Sequence, residues 1–123
     1  MILLRETLSD RDLAFRGMAV SGEPLITVVD NFRVFPGKRL SGSPIYTIIG
    51  NRIFRGMAVS GRPLAQLIDE LLFPDIQVSG APIARLRGRH SFRGIATAGA
   101  PLVTVPSRNI TTLLAATYHV LQR

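Results

Sequence analysis

Five near-copies of one short segment divide this chain, and that periodicity constrains its fold more than any other property. Phe15-Arg16-Gly17-Met18-Ala19-Val20-Ser21-Gly22-Glu23-Pro24-Leu25 returns with a single difference from Phe54 to Leu64, and more loosely from Phe92 to Leu102. Two further copies begin at Phe35 and Phe73, so the five Phe positions are spaced 20, 19, 19 and 19 residues apart. A unit this short cannot bury its own apolar side chains, so the copies must share one core.

Each copy reads as two short strands and two turns. Met18-Ala19-Val20 and Met57-Ala58-Val59 alternate large and small side chains, as a strand with one buried face does. The Gly-x-Pro that follows is a breaker, because Gly admits positive φ and Pro removes a backbone donor. Leu25-Ile26-Thr27-Val28-Val29, Ile45-Tyr46-Thr47-Ile48-Ile49 and Leu102-Val103-Thr104-Val105 are rich in β-branched residues and predict strands. Asp30-Asn31 and Gly50-Asn51 then suit tight hairpin turns. The expected fold class is all-β, a tandem array of two-strand repeats about 19 residues long.

Two segments depart from the pattern. Leu64-Ala65-Gln66-Leu67-Ile68-Asp69-Glu70-Leu71-Leu72 has helical spacing of its leucines, yet it aligns with strands of the sister copies, so a strand and a short helical turn both remain open. Residues 111–123 read as a C-terminal cap, helix or strand, with the helix favoured and Asn109 or Thr111 as its N-cap. Residues 1–14 read as an N-terminal cap or strand: Ile2–Thr7 suits a strand, and Ser9-Asp10-Arg11-Asp12 has the form of a capping box. The expected organisation is one repeat domain over 1–123, with five repeats in 15–110.

A β-solenoid with end caps accommodates constant spacing, since each copy would make one coil and equivalent strands would stack about 4.8 Å apart. Phe, the Val or Leu before Ser-Gly, and the Leu or Ile after Pro would then form interior ladders. The alternative is a closed antiparallel barrel, pseudo-threefold or β-trefoil-like, because Phe-Arg-Gly and Phe-Pro alternate between copies and define a longer unit. The solenoid is the favoured expectation.

The length of 123 residues and the 46% apolar content are enough for one core. The absence of Cys excludes disulfides, Cys-ligated metals and thiol catalysis. No apolar run approaches the roughly 18 residues of a membrane-spanning helix, and no signal peptide is readable, so a cytoplasmic location is expected. No phosphate-binding loop, nucleophile elbow, dinucleotide fingerprint or zinc motif is present, so no catalytic residue, metal or cofactor is expected. The Ser of Ser-Gly-x-Pro recurs at Ser21, Ser41, Ser60 and Ser79, which argues for a turn hydroxyl rather than a nucleophile.

Of the 15 basic residues 14 are Arg, giving a net charge of +7. They concentrate in one place, Arg85-Leu86-Arg87-Gly88-Arg89-His90-Ser91-Phe92-Arg93. A strand there would align Arg85, Arg87 and Arg89 on one face, where their guanidinium forks suit phosphate or carboxylate. The candidate polyanion site is therefore Arg85, Arg87, Arg89, His90 and Arg93, set against the plainer reading of a solvated face with Phe92 in the core. The leading functional expectation is a non-enzymatic scaffold for assembly or partner binding, with a second copy or another protein as partner. The alternative is nucleic-acid or polyanion binding through the Arg85–Arg93 stretch.

Overall fold

The structure, a computed structural model, describes residues 11–40, 42–76 and 80–122. Within them each copy of the repeat is one strand, a long loop, a second strand and a tight turn. The strands are β1 Arg11–Arg16, β2 Ile26–Val29, β3 Arg33–Pro36, β4 Tyr46–Ile49, β5 Arg52–Arg55, β6 Ala65–Ile68, β7 Leu71–Pro74, β8 Ala84–Arg87, β9 His90–Arg93 and β10 Val103–Thr104. A single helix among the described residues, α1, follows at Ile110–Leu121. Every strand pairs antiparallel with its neighbours in sequence, and β10 pairs with β1 through Phe15 opposite Thr104 and Arg16 opposite Val103. The result is a closed ten-stranded barrel.

The favoured solenoid is thus overturned and the closed barrel stands, but with five quasi-equivalent units rather than three. A solenoid needs positions about 19 residues apart to pair in parallel; here Thr47 pairs across a turn with Phe54 and Ile48 with Ile53. The turns enforce this. Gly50, Asp69 and Gly88 each open a two-residue turn at φ 62°, 59° and 62°, the left-handed geometry that reverses a strand into an antiparallel partner. The first turn holds three residues, Asp30, Asn31 and Phe32, between paired Val29 and Arg33. That extra residue accounts for the one spacing of 20 among the Phe positions. Five copies of two strands close the ring with no partial unit.

Strand alternation gives the wall two faces. Val28 opposite Val34, Ile48 opposite Ile53 and Leu67 opposite Leu72 project one way, with Ala14, Ile26, Tyr46, Ala65, Ala84, Leu86 and Val103. These form one cluster with Leu113, Leu114, Ala115, Ala116 and Tyr118 of α1, so this face lines the lumen and the helix lies inside it. Thr112 to Tyr118 are consecutive and all buried, which requires walls on every side of the helix. Twelve helical residues span about 18 Å, enough to pass through a wall whose four-residue strands measure about 13 Å.

The expected end cap is therefore a helix, as favoured, but it fills the barrel instead of covering an edge. It enters at the end with the tight turns. Asn109 caps it, accepting from the Thr111 backbone N–H at 2.9 Å while its own amide donates to the Asn31 side chain at 2.9 Å. Asp12 of β1 accepts from the hydroxyls of Ser107 and Thr112, each at 2.7 Å, and so ties both the entry segment and the first helical turn to the wall.

The repeated Phe residues face outward. Phe15, Phe35, Phe54, Phe73 and Phe92 lie opposite Thr104, Thr27, Thr47, Gln66 and Arg85, on the side away from the lumen. They are nonetheless at most 8% exposed, so they form a second apolar layer outside the wall. Threonines hold the loop bases beside them: the hydroxyls of Thr27, Thr47 and Thr104 donate to the carbonyls of Gly37, Gly56 and Gly17 at 2.7, 2.6 and 2.6 Å.

Two local expectations change. Met18-Ala19-Val20 and Met57-Ala58-Val59 are exposed loop residues, not half-buried strands, because the Gly before each leaves the wall at positive φ. Of the three expected interior ladders, only the Leu or Ile after Pro packs against the lumen cluster, and only partly buried. Residues 64–72, open between a strand and a helical turn in the sequence, take the strand alternative, as β6 and β7 around the Asp69-Glu70 turn. The strand expected at Ile2–Thr7 lies outside the described residues, as do Ser9, Asp10, Ser41 and Ser79; Arg11 and Asp12 are in β1.

If α1 is the core of the barrel, Leu113→Ala should lower the unfolding free energy by about 2–5 kcal/mol. Ile110→Ala, on the same helix but 48% exposed, should change it by no more than about 0.5 kcal/mol. Denaturant titration of both variants checks this, and similar losses would contradict a lumenal helix.

Candidate functional site

The arginine-rich segment becomes the β8–β9 hairpin, and its register disperses it. Arg85, opposite Phe92, and Arg87, opposite His90, point outward, Arg89 sits in the turn, and Arg93 falls in the lumen-facing register at the far end of β9. Glu70 contacts the first two and offsets one of their charges. Its carboxylate accepts from Arg85 Nη1 at 2.8 Å and lies 3.5 Å from Arg87 Nε. His90 Nδ1 is 3.0 Å from the Thr104 hydroxyl, which itself donates to the Gly17 carbonyl. Phe92 is buried and presents no face for a base to stack on. The five candidate residues therefore do not converge: three share the outer wall, one is in a turn, and Arg93 belongs to another site.

That other site is the end of the barrel carrying the long loops. Because strands alternate in direction, the described residues of all five long connections, 17–25, 37–40 with 42–45, 56–64, 75–76 with 80–83, and 94–102, lie at this end. Each begins with a residue in the left-handed region: Gly17, Gly37, Gly56, Asp75 and Gly94 have φ of 63°, 56°, 58°, 60° and 63°. Asp substitutes for Gly in the fourth loop because its short polar side chain tolerates this conformation. Such uniform geometry puts the next residue of each loop at an equivalent position. Those residues are Met18, Lys38, Met57, Ile76 and Ile95, with Met18 and Met57 both 71% exposed and Ile95 65%. Two residues further on come Val20, Leu40 and Val59, also exposed, and Thr97 in the fifth loop. The six most exposed large apolar side chains among the described residues all belong to these loops.

Charge borders the ring. Arg16, Arg55 and Arg93 end β1, β5 and β9, while Pro36 and Pro74 end the intervening β3 and β7. All three arginines are exposed, and among the described residues none has an ion-pair partner. Lys38 and Arg62 are paired, to Glu23 at 3.7 Å and Asp75 at 2.6 Å. With Arg39, this end carries six basic residues against two acidic ones among the described residues.

Inside the ring, the lumen closes on a polar cluster at the end of α1. Tyr46 Oη is 3.1 Å from His119 Nδ1, and the Tyr46 ring meets Tyr118 edge-on at 5.5 Å between centroids. Burial pushes both phenols above their ordinary pKa; the nearby Arg55 guanidinium opposes the shift without cancelling it. A cavity of about 500 Å³ lies beside them, lined by Tyr118, Leu121 and Gln122 of the helix end, with Arg93, Leu64 and Pro74 of the wall. Among the described residues no three His, Cys, Asp or Glu side chains come together to hold a metal.

Sequence reading passed over both the ring and this cluster. The ring was visible as an apolar pair repeated between glycines, but read as strand. Tyr46 was visible as the one polar-tipped side chain at a position where the other copies carry Ile26, Ala65, Ala84 and Val103.

The raised phenol pKa values fix a pH dependence. Above about pH 10 the unfolded chain loses phenolic protons that the folded barrel retains, so stability is full below that point and falls as pH rises. Denaturant titrations at about pH 8 and about pH 11 should show this loss, and Tyr46→Phe should make it smaller. A Tyr46→Phe variant with an undiminished loss would contradict the assignment. Comparison of the chain with family models, with curated proteins and with solved structures finds no match, which leaves its function to be argued from its own geometry.

Proposed function

We propose that the chain is a non-enzymatic binding scaffold, and that the ring of long loops is the face it offers to a partner. The observation that carries this reading is the equivalence of the exposed positions. Met18, Met57, Ile76 and Ile95 follow a left-handed residue in four of the five loops, and all four are exposed. Isolated exposed apolar side chains are ordinary on protein surfaces, whereas a grouped set marks an interaction site. Ten strands about 4.8 Å apart make a ring on the order of 15–20 Å across, which suits an extended surface better than one small molecule. The lumen supports the same view: it is occupied by α1, which stiffens the frame on which the loops are mounted.

Polyanion binding through Arg85, Arg87, Arg89, His90 and Arg93 has less support. Glu70 engages both Arg85 and Arg87 and offsets one of their two charges, and Arg93 lies at the other end of its strand.

Single photoreactive residues test the scaffold reading in the cells that make the protein. Probes replacing Met57 or Ile95 in the loop ring should give covalent adducts with a partner. Probes replacing Phe32 or Ile49, at the tight-turn end, should give few. Equal labelling from both ends, or none from the ring, would contradict the proposal.

A further inference from the structure

The face described above combines two properties that together specify its occupant. Its leading side chains are apolar and sit on separate loops, and guanidinium groups with no ion-pair partner among the described residues stand at the loop bases. We infer that the ring docks on an anionic lipid surface, with Met18, Met57, Ile76 and Ile95 entering the acyl boundary and Arg16, Arg55 and Arg93 meeting headgroup phosphates. This inference rests on the reading of the ring as the binding face and names the partner of that face.

Charge decides between this occupant and a second copy of the chain. Among the described residues six basic side chains against two acidic ones occupy this end, so two rings brought face to face would set like charges against each other. An anionic leaflet supplies the missing countercharge, and juxtamembrane basic groups gain affinity from it residue by residue. Equivalent loop geometry puts the apolar side chains at one level around the rim, as a planar surface requires. Contact with fluid acyl chains demands no matching pocket for each side chain. A protein interface, by contrast, concentrates its affinity in a few packed aromatic or Arg anchors near its centre. The leading ring positions hold Met, Lys and Ile and no aromatic residue.

The barrel is built to rest on a bilayer rather than to cross one. Among the described residues no helix is long and apolar enough to span. A spanning strand needs about 9–11 residues, whereas those of this wall run from two to six. The polarity also differs from that of a membrane barrel: apolar side chains fill the lumen, while the outer face sets Thr27, Thr47, Gln66, Arg85 and Thr104 beside Phe residues that are themselves buried.

Sedimentation with vesicles tests the inference, using phosphatidylcholine alone and phosphatidylcholine with about 30% phosphatidylserine at low salt. The full chain should bind the serine-containing vesicles at least about tenfold more tightly, and less so as salt rises. The triple variant Met18→Ser, Met57→Ser, Ile95→Ser keeps the net charge and should lose about tenfold or more of that binding. Arg16→Gln, Arg55→Gln, Arg93→Gln should lose the preference for anionic vesicles. Phe32→Ser with Ile49→Ser, at the other end, should bind as the parent does. Far-UV circular dichroism of each variant confirms that the barrel is intact. Absence of binding at low salt, or binding that the serine triple retains, overturns the inference. If vesicles fail while a probe at position 57 still labels a protein partner, the scaffold reading stands without the lipid; if both fail, neither stands.

Discussion

The packing of α1 inside the barrel is the interaction on which the rest depends. A wall of ten strands encloses more space than its own inward side chains can fill, and an unfilled lumen would forfeit the contacts that make a core stable. Ala14, Ala65 and Ala84 project inward as short side chains, and together with Leu113, Leu114, Ala115 and Ala116 they belong to one buried cluster. The strands alone are too short for a stable sheet with one wet face. The helix alone would have no polar face to turn to water. Each supplies the other's missing surface, and Asp12 and Asn109 fix where the helix enters.

Once the lumen is full, the outer wall must solve a second problem. Alternation sends every repeat Phe outward, where it is buried only if the loops at its end cover it. Thr27, Thr47 and Thr104 tether the loop bases by their Gly carbonyls, so the same positions that pair with Phe35, Phe54 and Phe15 anchor the chain that follows. What the loops then leave in solvent, an apolar side chain at an equivalent place in four of five loops, is the property from which function is argued. Arg16, Arg55 and Arg93 border it because the Phe-Arg-Gly and Phe-Pro copies alternate around the ring.

Much of this was legible in the repeat. The β-branched runs at 26–29, 46–49 and 103–104 are strands, and the Gly50-Asn51 pair is a turn. Stacked coils and a closed ring share one periodicity, so spacing alone could not separate them; the informative number was the single spacing of 20, a residue inserted at a hairpin. Leu64–Leu72 stayed ambiguous because leucine spacing reports burial on one side in a helix and in a hairpin alike, and its turn uses Asp69 at positive φ instead of Gly. Leu113-Leu114-Ala115-Ala116 lacks the polar stripe of a surface cap, which was the sign of a surrounded helix. The candidate arginines were found as a cluster in sequence but not in space. Glu70, which pairs with two of them, is 15 residues from Arg85, and the register that turns Arg93 inward is set by the hairpin.

The central claim is a closed ring around a helix, and nuclear Overhauser contacts test it most directly. Cross-strand contacts should join Phe15 and Arg16 to Thr104 and Val103, the pairing that seals the barrel. Methyl groups of Leu113 to Ala116 should in turn see residues of both β4 and β9, which no helix lying outside the wall can do. In-register parallel contacts between positions 19 apart, such as Phe35 with Phe54, would contradict the account.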